Sequence, residues 1–122
     1  MKTCLVVDDS TVIRKVARRI LEELQFVVDE AGDGAQALDA CRAKLPDAIL
    51  LDWDMPVLDG LSFLIALRKE PGGDRPVVVF CATENDIDHI SRALKAGANE
   101  YIMKPFDREI IESKFTEVGL LS

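Results

Sequence analysis

One short apolar run constrains the fold more than any other part of this chain. Residues Ala48 to Leu51 are continuously apolar and lead directly into Asp52, with the turn formers Pro46 and Asp47 just before them. An apolar run of this length between turn signals is typical of a strand buried on both faces, as in parallel α/β sheets. Open α/β sheets bind their ligands at the carboxyl ends of such strands. We therefore interpret Asp52 as a functional residue, although a lone aspartate at this place usually only ends a strand.

Similar runs alternate with helical patterns along the rest of the chain. The five predicted strands cover residues 2–7, 26–31, 48–52, 76–81 and 100–103. Apolar residues recur at helical spacing in five further segments, at residues 10–25, 35–44, 60–70, 84–97 and 107–118. Five βα units in succession predict a doubly wound α/β fold with a mainly parallel sheet and helices on both faces. Because residues 1–122 contain no linker, repeat or low-complexity segment, we expect a single domain.

Composition excludes several classes of protein. The 122-residue chain is 48% hydrophobic and 30% charged, and its formal net charge is -7. Such an acidic chain does not favour nucleic-acid binding, which needs a basic footprint. No apolar run approaches the ~20 residues that span a bilayer. The three cysteines are widely spaced, and no two of them form a CxxC motif. This pattern is typical of small apolar residues in the reducing cytoplasm rather than of a disulfide or zinc framework. We expect a cytoplasmic protein that does not insert into a membrane and that binds a cation or a basic partner.

Charged residues follow three of the predicted strands. Asp8 and Asp9 follow the first strand, Asp52 ends the third, and Lys104 follows the fifth. Because the carboxyl ends of parallel strands share one edge, these four side chains can converge. Carboxylates about 5 Å apart repel by about 3 kcal/mol per pair at an effective dielectric near ~20. This crowding calls for a bound cation or a raised carboxylate pKa, and for a cation the oxygen ligands favour Mg2+. A carboxylate beside Mg2+ and a lysine suits phosphoryl transfer, with Asp52 as the nucleophile that forms an aspartyl phosphate.

These residues, in this order and spacing, resemble a known family. Its motifs are the Asp8-Asp9 pair, Asp52 followed by Met55-Pro56 and Asp59-Gly60, and Lys104-Pro105-Phe106. They are similar to those of the receiver domain of two-component response regulators, and closest to stand-alone chemotaxis regulators of the CheY type. The resemblance covers residues 1–120 and implies a flavodoxin-like sheet in the order 2-1-3-4-5 with five helices. It also implies a signalling protein rather than an enzyme, which accepts a phosphoryl group from a histidine kinase.

The resemblance implies roles for individual site residues. Asp9, Asp52 and the backbone carbonyl of Asp54 would bind Mg2+ directly, and Asp8 would act through a coordinated water. Asp52 would be the phosphoacceptor. Lys104 would pair with the phosphoryl group, and the peptide bond to the following proline would be cis, a form that X-Pro bonds adopt far more readily than others.

One departure from the family pattern lies at the end of the predicted fourth strand. Receivers place a Ser or Thr there, whose hydroxyl donates to the phosphoryl oxygen and couples it to an aromatic switch residue, here Tyr101. This chain has Ala82 at that position, followed by Thr83. Because side chains alternate along a strand, Thr83 replaces the hydroxyl only if the strand end slips or bulges by one residue. A lost hydrogen bond to a charged group costs roughly 1.5–3 kcal/mol. We therefore expect phosphorylation to survive and activation to be weakened.

The surfaces of three predicted helices also need an interpretation. The resemblance implies an output face made by the fourth helix, the fifth strand and the fifth helix, roughly residues 85–118, with a flagellar motor switch protein as the first candidate partner. Met103, Lys95 and Phe106 would contribute to that face. The basic residues of the first helix are most simply a solvated side; they are Arg14, Lys15, Arg18 and Arg19. His89 in the fourth helix is more simply a solvated histidine than a phosphohistidine, and Tyr101 has the ordinary alternative of a half-buried aromatic at a strand edge.

Two other functions stay open. Asp52-Trp53-Asp54 fits the Asp-x-Asp nucleophile motif of haloacid-dehalogenase-type phosphatases, in which the second aspartate is a general acid. That motif belongs on the first strand of a longer chain, whereas here the acidic pair comes first. Repeated turnover of a chromogenic phosphate ester would favour the phosphatase. The third possibility is a binding module that never takes phosphate and uses the acidic edge only as a surface.

Overall fold

Helices and strands alternate along the chain, in the order that the sequence predicts. The computed structural model describes residues 1–83 and 86–122. The strands are β1 (Thr3–Val7), β2 (Val27–Ala31), β3 (Ala48–Asp52), β4 (Val77–Ala82) and β5 (Glu100–Met103). The helices are α1 (Thr11–Glu23), α2 (Gly34–Ala43), α3 (Gly60–Lys69), α4 (Ile87–Ala96) and α5 (Arg108–Glu117). Residues 84 and 85, the predicted start of the fourth helix, lie outside the described residues. Within the two described ranges, no helix is both long and apolar enough to cross a membrane.

The strands form one parallel sheet in the order β2-β1-β3-β4-β5. This order and the alternating helices confirm the predicted doubly wound, flavodoxin-like architecture. Strand β3 lies at the centre of the sheet, and all of its residues are buried. Val7 pairs with Leu51, and Asp52 pairs with Cys81, so that neighbouring strands end at nearly the same level. The carboxyl ends of the strands therefore share one edge, as a functional site at that edge requires.

Two apolar layers cover the two faces of the sheet. On one face, Phe63 and Leu67 of α3 pack with apolar residues of α2 and α4. On the other face, α1 and α5 supply the layer, and Phe26 meets Phe115 edge to face with ring centroids 5.5 Å apart. Alternate residues of β3 point into opposite layers, as the strand period requires. This explains why the β3 run is continuously apolar.

All three cysteines are buried free thiols. Burial raises the pKa of Cys41 to about 11 and that of Cys4 to about 12. It also raises the pKa of Cys81. A thiol that stays protonated at neutral pH is a poor nucleophile and metal ligand. The cysteines therefore act as small apolar core residues, as the sequence predicts.

Close backbone contacts hold the loop between β3 and α3. Gly60 donates its N–H to the carbonyl of Trp53 at 3.0 Å, and Gly34 donates to that of Leu58 at 2.9 Å. A side chain at Gly60 would place its Cβ 2.2 Å from the carbonyl oxygen of Asp52, and one at Gly34 would lie 2.2 Å from that of Leu58. Both positions require glycine for this reason. Backbone hydrogen bonds from the first residues of α3 and α2 therefore hold the loop that follows Asp52.

A strained turn lies in the middle of this loop. Leu58 donates its N–H to the carbonyl of Pro56 at 2.7 Å, which closes a three-residue turn around Val57. Val57 has a φ of 69°, in the left-handed region that β-branched residues avoid, and it is 82% exposed. A turn of this positive-φ kind is rare and costs of order 1–3 kcal/mol.

Arg68 joins the end of α3 to the loop that follows it and to the end of α4. Its guanidinium donates to the carbonyl of Gly97 at 3.2 Å and 2.6 Å, and to those of Gly73 at 2.9 Å and Pro76 at 2.8 Å. Gly97 has a positive φ of 112° and forms the C-cap of α4. One side chain therefore satisfies carbonyl groups that precede β4 and follow α4.

We predict that Arg68→Ala lowers the free energy of unfolding by roughly 2–4 kcal/mol, because it leaves three carbonyls without their donor and removes the packing of the side-chain stem. Urea denaturation monitored by circular dichroism measures the change. Arg75→Ala is the matched control, since Arg75 is exposed in the same loop region, and it should shift stability by less than ~0.5 kcal/mol. Equal effects of the two substitutions would contradict the role of Arg68.

Candidate functional site

The carboxyl edge of the sheet gathers the charged residues that the sequence singles out. Carboxylate oxygens of Asp8, Asp9 and Asp52 lie within 4.8 Å of one another. Asp8 is 3% exposed and Asp52 is 9% exposed, whereas Asp9 is open to solvent. The structure brings the predicted acidic residues together because β1 and β3 are neighbours in the sheet.

Lys104 reaches this cluster from the opposite side. Its ammonium lies 2.8 Å from Asp8 Oδ2 and 2.9 Å from Asp52 Oδ1. Its backbone N–H donates to the carbonyl of Ala82 at 2.7 Å, and its bond to Pro105 is cis, as expected. The lysine is therefore held both through its backbone and through its ammonium group.

The electrostatics of the cluster follow from burial and from this shared lysine. Burial raises the pKa of Asp52, and the charge of Asp8 adds to the rise, while hydrogen bonds from Lys104 and from the Trp53 backbone oppose it. Burial by itself would lower the pKa of Lys104, but hydrogen bonds to Asp8 and Asp52 outweigh burial and raise it. Because Lys104 divides its charge between two carboxylates, it does not fully offset the repulsion at either one.

The donor set fits a hard divalent cation. It consists of carboxylate oxygens, which suit Mg2+ or Ca2+ rather than a soft metal. Asp8 accepts the N–H of Ser10 at 2.9 Å through Oδ1 and the Lys104 ammonium through Oδ2, so both of its oxygens already have protein donors. Asp9 is exposed, which leaves room for the waters that Mg2+ retains. Asp54, whose carbonyl the resemblance implies as a ligand, lies in the exposed loop after β3, and its role stays a prediction.

A second group of charges supports the loop that carries Asp8. Arg14 donates to the carbonyl of Asp8 at 2.7 Å, and its Nε lies 3.1 Å from the carboxylate of Glu30. Lys15 and Arg18 contact the same carboxylate at 2.8 Å and 2.7 Å. The interpretation of this basic face of α1 as a solvated side was therefore wrong for Arg14 and Arg18, whereas Arg19 is exposed as expected. The sequence contained only a weak signal, an acidic residue in the strand that would pair with β1.

We predict a pH-dependent stability contribution from Glu30. Burial raises the pKa of Glu30, but hydrogen bonds from Lys15, Arg18 and Arg14 outweigh it and lower the pKa overall. Such a group stabilises the fold above its unfolded-state pKa, about 4.3, and the contribution is lost as pH falls through the lower folded value. At pH 7, Glu30→Gln should lower the free energy of unfolding by about 1 kcal/mol, because the cations lie partly in solvent.

Urea midpoints of wild type and Glu30→Gln, measured from neutral pH down to about pH 3, provide the test. The difference in urea midpoint between wild type and Glu30→Gln should become smaller as the pH falls into the acidic range. Glu112→Gln is the control, since Glu112 is exposed on α5. A gap that is constant with pH would show that the carboxylate charge of Glu30 does not stabilise the fold.

The residues predicted at the end of the fourth strand have separate environments. Ala82 is the last residue of β4 and is 1% exposed. The β4–β5 register runs without a slip to the pair of Ala82 and Met103. The hydroxyl of Thr83 donates to Asp86 Oδ2 at 2.8 Å. The geometry therefore does not support Thr83 as a substitute for the missing hydroxyl, because the strand keeps its register and the hydroxyl has another acceptor.

Tyr101 is half-buried on β5, at the opposite end of the sheet from β2. It packs against the apolar layer that contains Phe80, and the ammonium of Lys114 lies 5.8 Å from its ring centroid. This placement is compatible with both interpretations of the residue. Its role as an aromatic switch stays a prediction.

Sequence reasoning missed an aromatic stack beside the site. The rings of Trp53 and His89 lie parallel within 17°, with centroids 3.7 Å apart. The histidine side chain is 27% exposed, so the interpretation of His89 as a solvated helix residue was wrong. No local pattern indicates the stack, because the two residues belong to different βα units.

Comparison with known proteins places this geometry in a family. The family model of the response regulator receiver domain matches residues 4–116. The chain belongs to the receiver domains of two-component response regulators, which are signalling proteins rather than classical enzymes.

Individual relatives show how the chain compares with whole proteins. It is 32% identical over 117 residues to the chemotaxis protein CheY of Halobacterium salinarum, with 96% of each chain covered. It is 41% identical over 105 residues to response regulator MprA of Mycobacterium avium; the match covers 86% of this chain but 45% of MprA. A high-resolution structure of chemotaxis response regulator CheY4 of Vibrio cholerae has a TM-score of 0.90 at 29% identity, and the match covers 97% of this chain and 98% of that one. The chain is thus similar to CheY proteins over nearly their whole length.

Proposed function

We propose that this chain is the receiver of a cytoplasmic response regulator and accepts a phosphoryl group from a histidine kinase on Asp52. The observation that carries the proposal is the buried Asp52 carboxylate at the end of β3, hydrogen-bonded by Lys104 and adjoined by Asp8 and Asp9. The likeness to two CheY proteins supports a role in chemotaxis or motility. The phosphorylated chain then signals by binding another protein.

In the proposed transfer, a carboxylate oxygen of Asp52 attacks the phosphorus of a phosphohistidine on the kinase. The O–P bond forms as the P–N bond breaks, and the imidazole leaves with a proton from solvent. Asp9, Asp52 and the Asp54 carbonyl would hold Mg2+, with Asp8 acting through water, and the ion would offset charge on the phosphoryl oxygens.

Lys104 contributes a second positive charge that is already in place. Its ammonium sits between Asp8 and Asp52, so it can keep its contact with Asp8 while it turns from the Asp52 oxygen to a phosphoryl oxygen. A donor that is held before the reaction needs little reorganisation as charge develops.

Phosphorylation of Asp52 is the direct test. Incubation with an acyl phosphate and Mg2+ should add about 80 Da, the mass of one phosphoryl group, as a labile adduct seen by intact mass spectrometry. Asp52→Asn should add nothing, because it keeps the shape of the side chain and removes the nucleophile. Asp39→Asn is the matched control, since Asp39 is exposed on α2 and should leave the adduct unchanged.

Two outcomes would contradict this proposal. An adduct on Asp52→Asn would show that another residue is the acceptor. Repeated turnover of a chromogenic phosphate ester by wild type would favour the phosphatase, in which Asp54 is a general acid.

Trp53 fluorescence provides an independent check of cation binding, and a saturating Mg2+ response that is the same in Asp9→Ala would exclude the cation site as described.

The proposed output face is that of α4, β5 and α5. Of the predicted face, residue 85 lies outside the described residues. Lys95 is exposed on α4, and Met103 and Phe106 are partly buried. Leu94 on α4 is 42% exposed and Ile110 on α5 is 37% exposed, which adds apolar surface for a protein partner. We propose that a flagellar motor switch protein is the first partner to test on this face.

Ala82→Thr should restore the missing hydroxyl. We expect it to raise the affinity for beryllofluoride, a phosphoryl mimic, by roughly 10- to 150-fold, which corresponds to one hydrogen bond to a charged group. It should also strengthen mimic-dependent capture of the motor switch protein. Ala82→Val is the matched control, because it adds the same volume at this buried position without a hydroxyl. Equal affinities of the two variants would show that the hydroxyl has no role here.

A further inference from the structure

Trp53 connects the proposed acceptor residue to α4. It directly follows Asp52 in the chain. Its indole lies between two rings of different elements. Phe80 of β4 meets it edge to face with centroids 6.2 Å apart, and His89 of α4 stacks on it at 3.7 Å. A shift of the Asp52 carboxylate or of the adjoining peptide therefore acts on the residue that contacts α4.

The imidazole of His89 is also held at its edge. Its Nδ1 lies 3.2 Å from Asp86 Oδ1. The other oxygen of Asp86 accepts both the N–H of Thr83 at 2.9 Å and its hydroxyl at 2.8 Å. The histidine is thus fixed between the indole and a carboxylate that is itself bonded to the residue after β4. A ring held in this way transmits a displacement instead of rotating away from it.

We propose that the Trp53–His89 stack couples the phosphorylation state of Asp52 to α4, and that His89 is the positioning residue of this coupling. The inference rests on the proposed function. It gives the chain a route from β3 to α4 that does not pass through the side chain of Ala82, which has no hydroxyl to offer. The part of the receiver that the stack moves is one side of the proposed output face.

The size of the coupling is set by the stack. A stacked aromatic pair contributes a factor of about 2 to 12 to an equilibrium constant beyond its buried area. Allosteric couplings typically amount to about 5- to 150-fold. The stack therefore supports a coupling at the weak end of that range. By reciprocity, a partner that binds α4 in its displaced position raises the affinity for the phosphoryl mimic by the same factor.

The test compares amide hydrogen exchange of α4 with and without beryllofluoride and Mg2+. In wild type, the mimic should change the exchange rates of the α4 amides by about 2- to 12-fold. His89→Ala should lose most of this response while it still binds the mimic, which fluorine NMR detects directly. His89→Phe keeps an aromatic ring for stacking and should keep the response. Ser91→Ala is the matched control on an exposed position of the same helix.

Each result distinguishes the inference from the proposed function. If wild type does not bind beryllofluoride, the proposed function fails and the coupling fails with it. If wild type binds the mimic and α4 does not respond, or if His89→Ala responds like wild type, the coupling is wrong and the proposed function stands. A loss of response in Ser91→Ala would also overturn the stack as the carrier, since that change leaves the ring stacking on Trp53 in place. A loss in His89→Phe, which keeps a ring but removes the Nδ1 contact to Asp86, would overturn ring stacking as the carrier and assign the coupling to that contact.

Discussion

The repulsion among three carboxylates at one edge of the sheet is the constraint on which the rest of the structure depends. Asp8 and Asp52 are almost fully buried, and Lys104 divides its ammonium between them. Two buried acids that share one base are unfavourable without a fold that holds them in place. The strand order supplies that fold, because it places β1 beside β3 and brings Lys104 in from the end of β5. The same imbalance of charge is what makes the edge attractive to a cation.

Residues outside the cluster hold its members in position. Arg14 forms an ion pair with Glu30 and donates a hydrogen bond to the carbonyl of Asp8. Gly60 allows the backbone of α3 to approach the end of β3. These contacts use backbone carbonyls rather than the reactive carboxylates, so the oxygens of Asp9 and Asp52 stay available for chemistry. Functional sites in general are built this way. Supporting residues fix a reactive side chain by contacting its main chain, or an atom of the side chain that does not react.

The sequence predicted the fold and the acidic site because both depend on local patterns that repeat in order. Continuous apolar strands, helical spacing and charges after three strands are all visible in a single chain, and a parallel sheet places those charges at one edge, where they can converge. The strand order that brings them together came from the family resemblance. The charge group around Glu30 and the stack of Trp53 on His89 were not predictable in the same way. Each joins side chains from different βα units, and their contacts depend on rotamers and helix rotation that no spacing rule specifies. The acceptor of the Thr83 hydroxyl is different, because Thr83 and Asp86 are three residues apart and form a local pattern that the sequence alone could have indicated.

The strained turn at Val57 affects how a chain of this kind can diverge. Its side chain is 82% exposed, so the unfavourable φ of 69° is a property of the main chain and not a requirement of core packing. Glycine, which has no Cβ, would adopt that conformation with less strain. A change to glycine at this position would therefore relieve main-chain strain next to the site. The loop next to Asp52 is thus a place where the free energy of unfolding can increase while every charged residue of the site stays the same.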